Sequence, residues 1–106
     1  MITHKAFFGD SDYSFSLTDE MITELERITG TGIGALYLRT VAGQFNNSDL
    51  VEIIRLGLIG GGTTPQAAVQ LTQTYAHNRP IAETFPLALD ILDSRWSGTA
   101  SKKAVA

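Results

Sequence analysis

His4 and His77 are the only imidazoles in this 106-residue chain, and it has no cysteine. The two histidines are far apart in sequence, and neither has the partner four residues away that puts two ligands on one helix face. No metal site is expected from them. Without thiols there is no disulfide, no thiolate metal site and no thiol catalysis. Carboxylates do come in close pairs, Glu24 with Glu26 and Asp90 with Asp93. General acid–base work needs one member held neutral by burial or by a like charge. At these helical spacings a solvated face is the simpler expectation. No serine stands in a G-x-S-x-G elbow. Gly30-Thr31-Gly32-Ile33-Gly34-Ala35 has the G-x-G-x-x-A form of a dinucleotide fingerprint. It follows a helical pattern where that fingerprint needs a strand. Gly60-Gly61-Gly62-Thr63-Thr64 is glycine-rich but lacks the lysine of a phosphate loop. The chain is therefore expected to hold no catalytic residue, no metal, no cofactor and no small-molecule substrate.

The elements around these residues are mostly helical. Leu50, Ile53, Ile54, Gly57 and Leu58 follow the apolar spacing of one helix face. Val51, Leu56 and Ile59 lie off that stripe, so this helix, about Ser48 to Ile59, is apolar on most sides and belongs at the centre. Asn47 or Ser48 is expected to cap it, with Asp49 at the positive end of its dipole. Gly60 to Gly62 are expected to end it. Before it, residues 2–17 read as a hairpin. Tyr13, Phe15 and Leu17 alternate with serines, and Gly9-Asp10-Ser11-Asp12 form a turn cluster. Phe7, Phe8, Tyr13 and Phe15 are expected in the core.

Thr18 is the expected N-cap of a first helix whose inward stripe is Met21, Ile22, Leu25 and Ile28, closed by Gly30. A short second helix, about Ile33 to Ala42, places Ile33, Leu36, Tyr37 and Val41 inward. Its glycines are expected either to weaken it or to allow close approach to the central helix. Thr64-Pro65 starts a fourth helix, with Ala68, Val69, Leu71, Thr72 and Tyr75 toward the core. Pro80 opens a last, strongly apolar helix, in which Pro86 predicts a kink or a break near Thr84. Trp96 is expected to end the ordered chain, folding back as an anchor. The prediction is mainly α with a small N-terminal β-hairpin, an α+β bundle of about five short helices around a central buried helix. Residues 1–96 form its single domain, with the hairpin at about 3–17 and a flexible C-terminal tail over 97–106.

Eight basic and eleven acidic residues leave a formal charge of −3. That argues against a partner held by phosphate neutralisation, so no nucleic acid is expected. A small helix-turn-helix DNA reader is a remote alternative. It wants a basic recognition helix, but Arg55 stands against Asp49 and Glu52, and no charge occurs between Pro65 and Ala76. No apolar run approaches the length of a membrane span, and Met1 to Asp10 lacks the pattern of a secretion signal. A cytoplasmic location in a bacterial host is expected.

The order of these signals carries a resemblance. Its residues are Leu17-Thr18, Glu24-Leu25-Glu26, Gly30 to Leu36, Phe45, Asp49-Leu50, Ile53-Ile54, Leu58 to Gly62 and the run Leu87 to Leu92. In that order, over about residues 4–96, the chain resembles the small tail proteins of gene transfer agents and related siphophages, grouped as phage tail assembly chaperones. No single motif among them is specific. The resemblance implies a non-enzymatic protein that binds the tape-measure protein during tail morphogenesis. A structural, tube-related tail subunit, which would be virion-associated, is its alternative. The implied partners are the tape measure and other tail proteins, with self-association a further outcome. Lys102-Lys103 is compatible with the frameshift site of such families, and equally with a plain solubilising pair. Tyr37, Tyr75 and Trp96 are the candidates for a partner-binding surface, because aromatic side chains are favoured at interfaces.

Overall fold

The computed structural model describes residues 2–98. Two strands, β1 (His4–Phe8) and β2 (Ser11–Phe15), pair antiparallel with His4 opposite Phe15 and Phe8 opposite Ser11. Five helices follow: α1 (Asp19–Thr29), α2 (Ile33–Val41), α3 (Asn47–Gly60), α4 (Pro65–Tyr75) and α5 (Ile81–Ser97). The architecture is the expected α+β bundle. α3 lies at its centre and touches β2, α1, α4 and α5. Leu50, Val51, Ile53, Ile54, Leu56, Gly57 and Leu58 are all buried along it, which is what an apolar pattern around the whole circumference requires.

The hairpin is tighter than its sequence suggested. Only Gly9-Asp10 turn the chain, with Gly9 at φ 70°, while Ser11 and Asp12 already pair with Phe8 and Phe7. Phe8 and Phe15 enter the core as an edge-on pair, 6.2 Å between centroids. Phe7 does not: it is 66% exposed, because its neighbour Phe8 takes the inward side of the pleat.

The glycines between α3 and α4 end the helix as expected, and two of them have a second role. The helix runs through Gly60, and Gly61 caps it in the ordinary right-handed region; only Gly62, at φ 114°, turns left-handed. Gly60 and Gly61 are small because the hairpin backbone lies on them. A Cβ on Gly60 would stand 1.8 Å from the Ser16 carbonyl oxygen, and one on Gly61 would stand 1.9 Å from that of Ser14. The Ser16 N–H donates to the Gly57 carbonyl at 2.9 Å, fixing the strand to the last turn of the helix. Of the two expectations for Gly32 and Gly34, close approach does not hold: both face open space.

Local signals set most helix ends. Thr18 and Thr64 accept the Met21 and Ala67 N–H groups at 3.2 Å, each as N-cap, and Pro65 occupies the first helical position. Gly30 ends α1 in the left-handed region. The cap of α3 is Asn46, one residue earlier than expected, because Asp49 reaches back to accept the Asn46 N–H at 2.9 Å. The break near Thr84 does not occur: one helix spans Ile81–Ser97 with Pro86 inside it. The proline lies early in the helix, on its exposed side. The carbonyl deprived of a partner belongs to Ala82, in the exposed first turn.

Three expected core positions are exposed instead: Ile28, Val41 and Val69. Each sits on a helix whose neighbours cover a narrower face than its apolar stripe. Ser97 closes α5 and Gly98 caps it in the left-handed region, so Trp96 lies within the final helical turn. The rest of the expected tail, Lys102-Lys103 included, lies outside the described residues. Buried hydroxyls are satisfied locally, as Thr40 to the Leu36 carbonyl (2.7 Å) and Thr72 to that of Ala68 (3.0 Å) illustrate.

Candidate functional site: an aromatic-walled groove between α1, α2 and α5

Two of the three aromatic candidates meet. Tyr37, in the middle of α2, and Trp96, in the last turn of α5, stack with centroids 4.4 Å apart and planes 10° from parallel. Asp93 precedes Trp96 by three residues, so both project from one face of α5. The Tyr37 hydroxyl donates to the Asp93 carboxylate at 2.6 Å while its ring lies on the indole. That hydrogen bond first, and burial and the Asp93 charge after it, raise the Tyr37 pKa above the ordinary tyrosine value. One residue of α2 is thus tied to α5 by two contacts of different kinds.

The stack walls a groove of about 350 Å³ whose other linings are Leu17, Ile22, Ile33, Leu92 and Arg95. Leu17 and Leu92 are buried, and Ile22 and Ile33 are half-buried at its sides. Trp96 is 57% exposed. Arg95 crosses one end, donating to the Leu17 carbonyl and to Asp19, each at 2.7 Å. Glu26 accepts the Ile33 N–H at 2.9 Å and so caps α2, whose own N-cap, Gly32, has no side chain for the task. The apolar surface continues outward along α2. Ile33, Tyr37 and Val41 recur every fourth residue, and Leu38 lies three residues before Val41 on the adjoining stripe. Leu38 is 65% exposed.

α2 is also anchored to the core from behind. Arg39 reaches Asp49 at 2.8 Å, and Asp49 is only 2% exposed. The same carboxylate accepts the Asn46 N–H, so one buried charge caps α3 and holds α2.

Tyr75 is elsewhere. It lies beneath the hairpin turn, where a Cβ on Gly9 would come within 2.2 Å of its ring, and it meets Phe8 edge-on at 6.0 Å. With Phe7, Arg79, Glu83 and Leu87 it lines a second, more polar depression. The structure separates it from the Tyr37–Trp96 pair.

The residues weighed for chemistry are also apart. His4 Nε2 lies 3.9 Å from the Asp90 carboxylate, while Asp93 serves Tyr37, so the Asp90–Asp93 pair divides between two neighbours. Glu24 pairs with Arg27, which holds its carboxyl below the usual range, and Glu26 turns to α2. Among the described residues no cluster of metal-ligating side chains occurs, and no helix is long and apolar enough to cross a membrane. α3, weighed as half of a DNA reader, is packed on by β2, α1, α4 and α5, and its Arg55 is paired with Glu52.

Sequence reasoning missed Asp93, Arg95, Glu26 and the Arg39–Asp49 pair. The i, i+3 spacing of Asp93 and Trp96 was the one local signal that this face of α5 joins a polar anchor to an aromatic one. Nothing local linked either residue to Tyr37.

These observations define a small helical domain with an N-terminal hairpin, whose charged groups hold helices in place and whose groove is apolar. The chain belongs to the phage tail tube protein, GTA-gp10 family, whose model matches residues 1–98. No curated protein and no solved structure matches it.

Proposed function

We propose that this phage or gene-transfer-agent tail protein is a non-enzymatic assembly chaperone that keeps apolar helices of the tape-measure protein soluble during tail morphogenesis. The observation that carries this reading is the open, apolar Tyr37–Trp96 groove. Its charged neighbours also make structural bonds, so apolar contact is the main thing the groove offers a visitor. A small α+β domain with one two-stranded sheet among its described residues also offers little strand edge for building a tube.

The test is co-expression with the tape-measure gene of the same particle. The expected result is a soluble complex, with the chain absent from purified particles by mass spectrometry. A second reading, a structural tail subunit, is favoured by the family's description as a tail tube protein. It predicts rings or tubes in electron micrographs of the purified chain, and the chain as a stoichiometric component of finished particles. Finding the latter would overturn the chaperone reading.

A further inference from the structure

We infer that the Tyr37–Trp96 groove takes one kind of occupant, an amphipathic helix whose apolar face is flanked by lysine or arginine. This inference rests on the reading of the chain as a protein-binding tail factor, and it names the face and the chemistry of the partner. The floor and wall are apolar, and the apolar surface extends over Val41 and Leu38 beyond what any element among the described residues covers. A helix laid there would cover Trp96, Val41 and Leu38 together, as helix-in-groove recognition requires.

The rim selects the sign of the partner's charge. Asp19, Glu26 and Asp93 each bond directly to a residue that lines the groove, and Arg95 is the one cation among the described lining residues. The side chain of Asp19 is almost wholly exposed and keeps most of its capacity to accept. Three carboxylates against one guanidinium leave the groove edge acidic. A second copy of this chain would bring the same acidic rim against itself, within a protein already at −3. Like charges facing across an interface oppose association, so the rim disfavours self-pairing here and favours a basic partner.

Trp96 is the only tryptophan, so its emission reports occupancy of this groove. The probes are two fluorescein-labelled synthetic helical peptides with the same leucine face, one flanked by lysines and the other by glutamates. The lysine peptide is expected to shift Trp96 emission to the blue and to bind at least about tenfold tighter than the glutamate peptide. By fluorescence anisotropy, Leu38→Glu and Trp96→Glu should each weaken it by roughly 30-fold. Both positions are exposed, so circular dichroism should show the fold retained. Each substitution adds negative charge, which would strengthen a merely coulombic association with the lysine peptide. Unchanged or tighter binding by the variants would therefore overturn the inference, as would equal affinity for the two peptides or an unshifted Trp96 emission.

Co-purification with the co-expressed tape measure separates the two readings. Capture that survives both variants sinks the groove and leaves the chaperone. Specific peptide binding without capture of the tape measure leaves the groove and sinks the chaperone.

Discussion

The two ends of α2's and α3's surroundings are built on opposite terms. Where the hairpin meets α3, backbone lies on backbone, Gly60 and Gly61 admit no side chain, and Phe15 and Ile91 press on Gly57. Where α2 meets α5, large side chains do the joining, and several remain open to solvent. The first junction has a single solution, since a close-packed backbone contact cannot slide or swell. The second keeps spare apolar surface. Burying that surface within the chain would have stabilised the fold; left open, it is the contact area on which the proposed binding rests.

The contrast can be tested by substitution. Gly60→Ala should have the largest effect. Alanine is the better helix former by about 1 kcal/mol, yet its methyl would collide with the Ser16 carbonyl. We expect a loss of about 3 kcal/mol or more in urea denaturation, with the hairpin displaced from α3. A stabilised Gly60→Ala protein would show that the close approach is wrong.

Arg39→Ala should cost about 2–3 kcal/mol, because it leaves the buried Asp49 carboxylate with only its capping bond. The loss should be smaller in an Arg39→Ala, Asp49→Asn double variant, which removes the unpaired charge. Trp96→Ala should cost only about 1 kcal/mol, the worth of a stack on a half-open surface. A much larger loss would make Trp96 a core residue and close the groove as a binding site. Gly34→Ala faces open space in a helix with ordinary backbone angles, and should raise stability by about 0.5 kcal/mol. The opposite signs at Gly34 and Gly60 are the sharpest single test of the comparison.

Tyr37→Phe should have the smallest effect at neutral pH, since the ring stack survives. Its signature is in alkali. Asp93 raises the folded-state pKa of Tyr37, so the unfolded chain loses that proton first as the pH climbs. The contribution is complete below the ordinary value near 10 and disappears as the pH rises through the higher folded value. Wild type should therefore lose stability between about pH 9 and 11 more steeply than Tyr37→Phe. Tyr13 is raised in the same direction by its bond to Asp10, so part of the slope should remain in the variant. Parallel urea midpoints across that range would show that the Tyr37–Asp93 bond is absent in solution.

Much of this fold was legible locally. Thr18, Gly30, Thr64 and Pro65 mark helix ends because each acts through its own backbone or a residue within one turn. The apolar circumference of α3 identified the central helix because a helix of that kind has nowhere else to go. Of the candidate site, the sequence supplied Tyr37 and Trp96 by residue type alone. It offered Tyr75 on the same grounds, and nothing in residue type distinguishes a ring beneath a hairpin turn from a ring on a groove.

Tertiary contact decided the remainder. Gly60 to Gly62 read as a helix stop, and the helix does stop there; but a glycine kept small by a neighbour looks the same as one kept for its left-handed angle, and only the position of Ser14 and Ser16 tells them apart. Pro86 read as a kink or a break, because the sequence does not show that the residue whose carbonyl it orphans lies in an exposed first turn. Glu26 read as a solvated carboxylate, because only the meeting of α1 and α2 brings it to the uncapped start of α2. The amino-acid order determined which segments are helices and which one is buried. The meeting of segments far apart in the chain determined which apolar side chains were left uncovered, and local pattern cannot record that because it depends on how wide a face each neighbour happens to cover.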